Sequence, residues 1–192
     1  MEIWLVRHGE TDWNVEGRVQ GWTDVPLNEV GKRQADRLAA WLKSVHFDHI
    51  YSSDLGRALE TAERVSRTTG APVTVRPCLR EHYFGQAEGL LRTESLRRFP
   101  NGAPDREPPE QATERILKCL REIARQHPHG RVLVATHGGV VRSVLRFMGV
   151  EFATIDNTSV TRISVIGDTF HALGVNETPH LADLPALRQS NG

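Results

Sequence analysis

Ile3-Trp4-Leu5-Val6, running into Arg7-His8-Gly9, is a short apolar stretch cut off by a cation, an imidazole and a glycine. Such a run, with no polar residue alternating through it, predicts a strand buried on both faces, as in the middle of a parallel sheet. The pattern returns at Arg131-Val132-Leu133-Val134-Ala135, which ends on Thr136-His137-Gly138-Gly139 and runs into a predicted helix reaching Met148. His49-Ile50-Tyr51 and Val73-Thr74-Val75 predict two further strands, and Val160 to Ile166 and Phe170 to Val175 two closing ones around Gly167-Asp168.

Helices fall between these strands. Asn28 reads as an N-cap, because its side chain can accept from the free N–H groups of a first turn, and Ala35, Leu38, Trp41, Leu42 and Val45 follow at helical spacing. Ser53 or Asp54 reads as the cap of a second helix carrying Leu55, Ala58, Leu59, Ala62 and Val65 on one face. A third, from about Glu110 to Gln126, sets Ala112, Ile116, Leu120 and Ile123 toward the core. Residues 9–26 read as loop, and the prolines of 99–109 predict an irregular path. Strands alternating with helices give an α/β fold, a three-layer α/β/α sandwich with a largely parallel central sheet. The expected organisation is one domain over residues 1–192, with a lid excursion at 90–110 and a loose tail from about residue 182.

The composition bounds the partners. A formal net charge of zero among 192 residues argues against a nucleic-acid binder working through overall basicity. No apolar run is long enough to span a bilayer, and Met1-Glu2-Ile3 leads to Arg7 without a basic-then-apolar leader, so a cytoplasmic location is expected. Cys78 and Cys119 form neither a CxxC pair nor a metal-ligand spacing and are expected as two reduced thiols. His46, His49, His82, His127, His129, His171 and His180 fit no metal motif and read as surface or structural, so no metal and no cofactor is expected.

In a parallel sheet, ligands gather beyond the carboxyl ends of the strands where the strand order reverses. Arg7 and His8 follow the first strand, Arg57 the second, Glu81 the third and His137 the fourth. Two imidazoles, two guanidinium groups and a carboxyl suit a phosphomonoester. Guanidinium forks match its oxygens. A neutral imidazole is a nucleophile near neutral pH, and a carboxylic acid can protonate a leaving alkoxide. Arg57 at a helix N-terminus opposes the helix dipole, unless an anion sits between them. Each residue alone has a plainer reading: Arg7 as surface charge, His8 as a supporting donor, Glu81 as a solvated loop carboxylate and His137 as a loop residue. Trp4 reads as core; Trp13 and Trp22 line a pocket or pin the loop.

Taken in order, Arg7-His8-Gly9-Glu10-Thr11 with Asn14, Gly21-Trp22-Thr23-Asp24, Ser52-Ser53-Asp54-Leu55-Gly56-Arg57, Leu79-Arg80-Glu81, Thr136-His137-Gly138-Gly139 and Asn157-Thr158-Ser159 resemble the histidine phosphatase superfamily, in its cofactor-dependent phosphoglycerate mutase-like branch. The resemblance covers nearly the whole chain. It implies a phosphohistidine on His8, with Arg7, Arg57 and His137 holding the phosphoryl group and Glu81 giving the proton and later taking one from water. It implies that Asn14 touches the phosphate and that Gln20, Gly21 and Gly138 contact substrate, without a metal. The expected substrate is a small phosphorylated metabolite, and a homodimer is compatible with the reading.

The branch holds hydrolases and mutases. Only 47 residues, 90–136, separate Gly89 from His137, short of the insertion that the mutases resemble. That insertion's basic clamping residues have no clear counterpart, and Phe84 stands where the mutase pattern favours Tyr. Hydrolysis is therefore preferred. Mutase activity and a non-catalytic phosphate-recognition module remain the alternatives. Residues 101–110 and His82 depart from the hydrolase pattern, which leaves substrate choice open, and His82 reads as a specificity residue or as exposed beside the pocket.

Overall fold

The computed structural model describes residues 1–183. Its strands are β1 (Glu2–Arg7), β2 (His49–Ser52), β3 (Val73–Val75), β4 (Arg131–Thr136), β5 (Val160–Ile166) and β6 (Thr169–Glu177). Its helices are α1 (Asp12–Glu16), α2 (Glu29–Leu42), α3 (Gly56–Thr69), α4 (Arg92–Arg98), α5 (Pro109–Gln126) and α6 (Gly138–Phe147). The six strands form one sheet in the order β3-β2-β4-β1-β5-β6. β3, β2, β4 and β1 run parallel to their neighbours, while β5 and β6 add antiparallel pairings.

β1 shows why the opening tetrapeptide is a strand. Successive side chains point to opposite faces, and both faces are buried. Ile3 and Leu5 join Val132 and Val134 against Ile116, Leu120 and Ile123 of α5 and Val141, Val144 and Leu145 of α6. Trp4 and Val6 join Leu133 and Ala135 against Leu38 and Leu42 of α2 and Ala62 and Val65 of α3. The chain leaves β1 for β2 and β3, then returns to lay β4 between β2 and β1. This reversal sets the carboxyl ends of β1 and β4 side by side, Arg7 opposite Thr136.

Several local expectations are corrected. The 9–26 loop contains helix α1, which Thr11 caps by accepting from the Asn14 N–H. Asn28 does cap α2, accepting from Gly31 N at 2.8 Å. Neither Ser53 nor Asp54 caps α3; Leu55 holds that position and the Gly56 N–H instead donates to Asp24 Oδ1 at 2.8 Å. The 90–110 excursion begins with helix α4. Cys78 and Cys119 are a disulfide rather than two thiols, their Cα atoms 6.0 Å apart. The turn Pro77–Leu79 after β3 packs on α5 and brings together two residues 41 apart in sequence, which no local pattern reveals. The tail expected to be loose lies, from residue 184 on, outside the described residues. Among the described residues no helix is long and apolar enough to cross a membrane.

Candidate active site

The ends of β1 and β4 build the centre. The His8 N–H donates to Thr136 O at 2.9 Å, the Thr158 N–H donates to Arg7 O at 2.9 Å, and Asn157 Nδ2 donates to His8 O at 2.9 Å. The chain after His8 is held by a close crossing: a Cβ on Gly31 would lie 2.1 Å from Glu10 O, and one on Gly9 would lie 2.5 Å from Gly31 O. Only glycine lets these backbones meet. The His8 ring is buried, with Nδ1 2.7 Å from Gly9 O. A carbonyl oxygen only accepts, so Nδ1 carries the hydrogen and Nε2 keeps its lone pair.

Arg57 is 1% exposed and donates to Thr23 O at 2.9 Å and Gly21 O at 2.7 Å. Arg7, also buried, donates to Ile155 O. The Nε atoms of both guanidinium groups, and both ring nitrogens of the buried His137, have no hydrogen-bond partner among the described residues. The His8 and His137 rings lie 5.3 Å apart, centroid to centroid. Glu81 enters after the Pro77–Leu79 turn. Its Oε2 accepts from the Gly139 N–H and its Oε1 from the His82 N–H, both at 2.9 Å. A Cβ on Gly139 would fall 2.1 Å from Glu81 Oε1, so the carboxylate rests against the first turn of α6. Trp22 pins the segment by donating from Nε1 to Glu81 O at 2.7 Å.

Burial, then the charges of Arg57 and Arg7, hold the His8 imidazole well below its ordinary pKa. Burial, then Arg57 and His8, do the same at His137. Both rings are therefore neutral at pH 7. Burial lowers Arg7 and Arg57 to about 10, which leaves both cationic. Buried cations with unspent donors make a cradle for an anion, since a buried charge without a partner is costly.

A cavity of about 710 Å³ opens over this cradle. Arg7, His8, Asn14, Gln20, Gly21, Arg57, Glu81 and Gly138 line it; His137 is buried beside His8 behind that lining. Asn14 Oδ1 accepts from Thr11 N at 3.1 Å, and Gln20 Oε1 from Thr11 Oγ1 at 2.8 Å, so α1 positions both. Four further arginines line the cavity: Arg18, Arg92, Arg106 and Arg142. Arg92 and Arg106 come from the 90–110 excursion, which thus contributes basic residues to the pocket. Arg142 was not singled out from sequence, although its place one helical turn after Gly138 was the signal that could have found it. Leu96 and Phe99 of the excursion add an apolar wall. His82 is half-buried, its Nε2 3.0 Å from Ser143 Oγ, and it faces a second cavity rather than the first. Among the described residues no group of three or more His, Cys, Asp or Glu side chains is arranged to hold a metal ion.

The chain is similar to proteins of known family. A metal-independent phosphoserine phosphatase of Arabidopsis thaliana is 39% identical over 158 residues, 74% of this chain and 66% of that protein. Phosphoglycerate mutase-like protein 4 of the same plant is 35% identical over 210 residues, covering 100% of this chain and 91% of that one. The solved structure of Bacillus stearothermophilus YhfR superposes with a TM-score of 0.87 at 34% identity, over 94% of this chain and 98% of that one. The sequence profile of the histidine phosphatase superfamily (branch 1) matches residues 3–178, and the chain belongs to that superfamily.

Proposed function

We propose that the protein is a metal-independent phosphomonoesterase in which His8 attacks the phosphorus of a small phosphorylated metabolite. The observation that carries this reading is the single tautomer of His8: Gly9 O takes the Nδ1 hydrogen, so Nε2 offers a lone pair into a cavity floored by two buried guanidinium groups. Nε2 forms a bond to phosphorus as the ester P–O bond breaks, and the departing oxygen takes the proton of the Glu81 carboxyl group. Water then attacks the phosphohistidine, loses a proton to the Glu81 carboxylate, and the P–N bond breaks to restore neutral His8. Arg7, Arg57 and His137 stabilise the transferring group throughout.

Six arginines line the cavity with one carboxylate, Glu81, and of the six Arg18 is also paired with Glu16. Arg92 and Arg142 are close enough for Arg142 to lower the Arg92 pKa, after the larger effect of burial. That surplus of positive charge supports a substrate with a second anionic group, such as the carboxylate of phosphoserine. The test is hydrolysis of phosphoserine and p-nitrophenyl phosphate by the purified protein and by His8→Ala, with phosphoglycerate isomerisation followed in parallel after adding bisphosphoglycerate. Hydrolysis that vanishes in His8→Ala, without isomerisation, is expected. Isomerisation faster than hydrolysis would make the chain a mutase, and tight binding of phosphate esters without turnover would make it a recognition module.

A further inference from the structure

We infer that His82 and Ser143 form a strut that positions the Glu81 carboxyl group for proton transfer, an inference that rests on the acid role proposed above. Glu81 is held at two levels. Its main-chain carbonyl accepts from Trp22 Nε1 at 2.7 Å and from Arg115 Nη2 at 3.3 Å. Its carboxylate accepts from the N–H of Gly139 in the first turn of α6, and from the N–H of His82. The side chain of His82 then reaches Ser143 Oγ at 3.0 Å, and Ser143 is buried on the same helix. Gly139 and Ser143 are four residues apart, one turn along one face of α6. Two consecutive residues, Glu81 and His82, are thus gauged against two points a helical turn apart. The carbonyl contacts fix where the segment passes; the His82–Ser143 contact fixes how it is rotated, and with it the direction of the carboxyl group. His82 also lies nearly parallel to Phe84, with ring centroids 6.1 Å apart and planes 17° apart. Neither His82 nor Ser143 lines the main cavity, so the role assigned to them acts through Glu81.

A positioning role for a proton donor has a signature that general loss of structure lacks. An alkyl phosphate expels an alkoxide, which needs the proton. A dinitrophenyl phosphate expels a stable phenolate, which does not. The experiment measures kcat/KM on phosphoserine and on 2,4-dinitrophenyl phosphate for the whole protein, Glu81→Gln, Ser143→Ala, His82→Leu and His82→Gln. Ser143→Ala and His82→Leu are expected to lose about tenfold on phosphoserine and less than twofold on the dinitrophenyl ester. Glu81→Gln should show the same selectivity with a larger loss, and His82→Gln, whose amide can still meet Ser143, should recover most of the activity. If Glu81→Gln is selective while Ser143→Ala and His82→Leu are not, or lose equally on both esters, the strut is wrong and the acid assignment stands. If Glu81→Gln itself loses equally on both esters, the acid role fails and the strut with it.

Discussion

Lowering the pH should destabilise this protein through the two histidines at its centre. His8 and His137 are buried and held neutral, with folded pKa values well below 6.5. In the unfolded chain each takes up a proton near pH 6.5. The unfolded state therefore binds more protons as pH falls, and stability is lost on the acid side of that value. Between about pH 7 and about pH 5.5, one such imidazole contributes a loss of about 1.3 kcal/mol and the pair about 2.5 kcal/mol, if neither protonates in the folded state. The salt-bridged carboxylates of Glu2, Asp54 and Glu107 are shifted downward and add little in that window. His49, also shifted downward, is common to all variants and cancels in the comparison. Urea unfolding in phosphate-free buffer at the two pH values, for the natural sequence and for His8→Asn, His137→Asn and the double variant, measures the effect. Each substitution should reduce the acid loss by about 1.3 kcal/mol, whatever it does to stability at pH 7. A double variant with the same acid loss as the natural chain would show that these rings are not held neutral, and the case for His8 as a neutral nucleophile would fall.

Three other outcomes follow from the site. Gly31→Ala would drive its Cβ to 2.1 Å from the Glu10 carbonyl oxygen and 2.6 Å from the Glu10 nitrogen, backbone atoms rather than a flexible side chain. Its urea midpoint should fall by the equivalent of about 1–3 kcal/mol, and an unchanged midpoint would refute the close crossing. Arg142→Ala should raise KM for phosphoserine at least about tenfold more than KM for p-nitrophenyl phosphate, the worth of a charge-assisted hydrogen bond; equal effects would remove the second anion from the substrate. Dialysis against a chelator should leave hydrolysis of p-nitrophenyl phosphate unchanged, and a loss restored by a divalent cation would contradict the metal-independent chemistry.

The centre of the sheet was legible because β1 and β4 carry short apolar runs, Ile3 to Val6 and Val132 to Ala135, that suit strands buried on both faces. Residues placed just beyond such strands must meet at the sheet's carboxyl edge, and Arg7, His8, Arg57 and Glu81 do so, with His137 buried beside His8. What escaped depended on paths through space. Arg92 and Arg106 reach the cavity because the excursion folds back over it, and its course is set by contacts such as Asp105 Oδ1 accepting from the Gln86 N–H at 3.0 Å. The Cys78–Cys119 bond depends on how a three-residue turn docks on α5. Helix α1 has five residues, too few to show a period, and its capping box uses Asn14 where the usual signal is Glu or Gln. Asn157 stood in a recognisable segment, yet its role in holding the His8 carbonyl appears only when β5 lies beside β1.

The proposed mechanism turns on a phosphoryl group carried by His8. Rapid alkaline quenching of the protein during turnover of labelled phosphoserine, followed by peptide mapping, tests this directly. The label should sit on the peptide containing His8, survive alkali, disappear in acid, and be absent from His8→Ala, which should also lack activity. Label on another residue, an acid-stable phosphoester, or full activity in His8→Ala would contradict it.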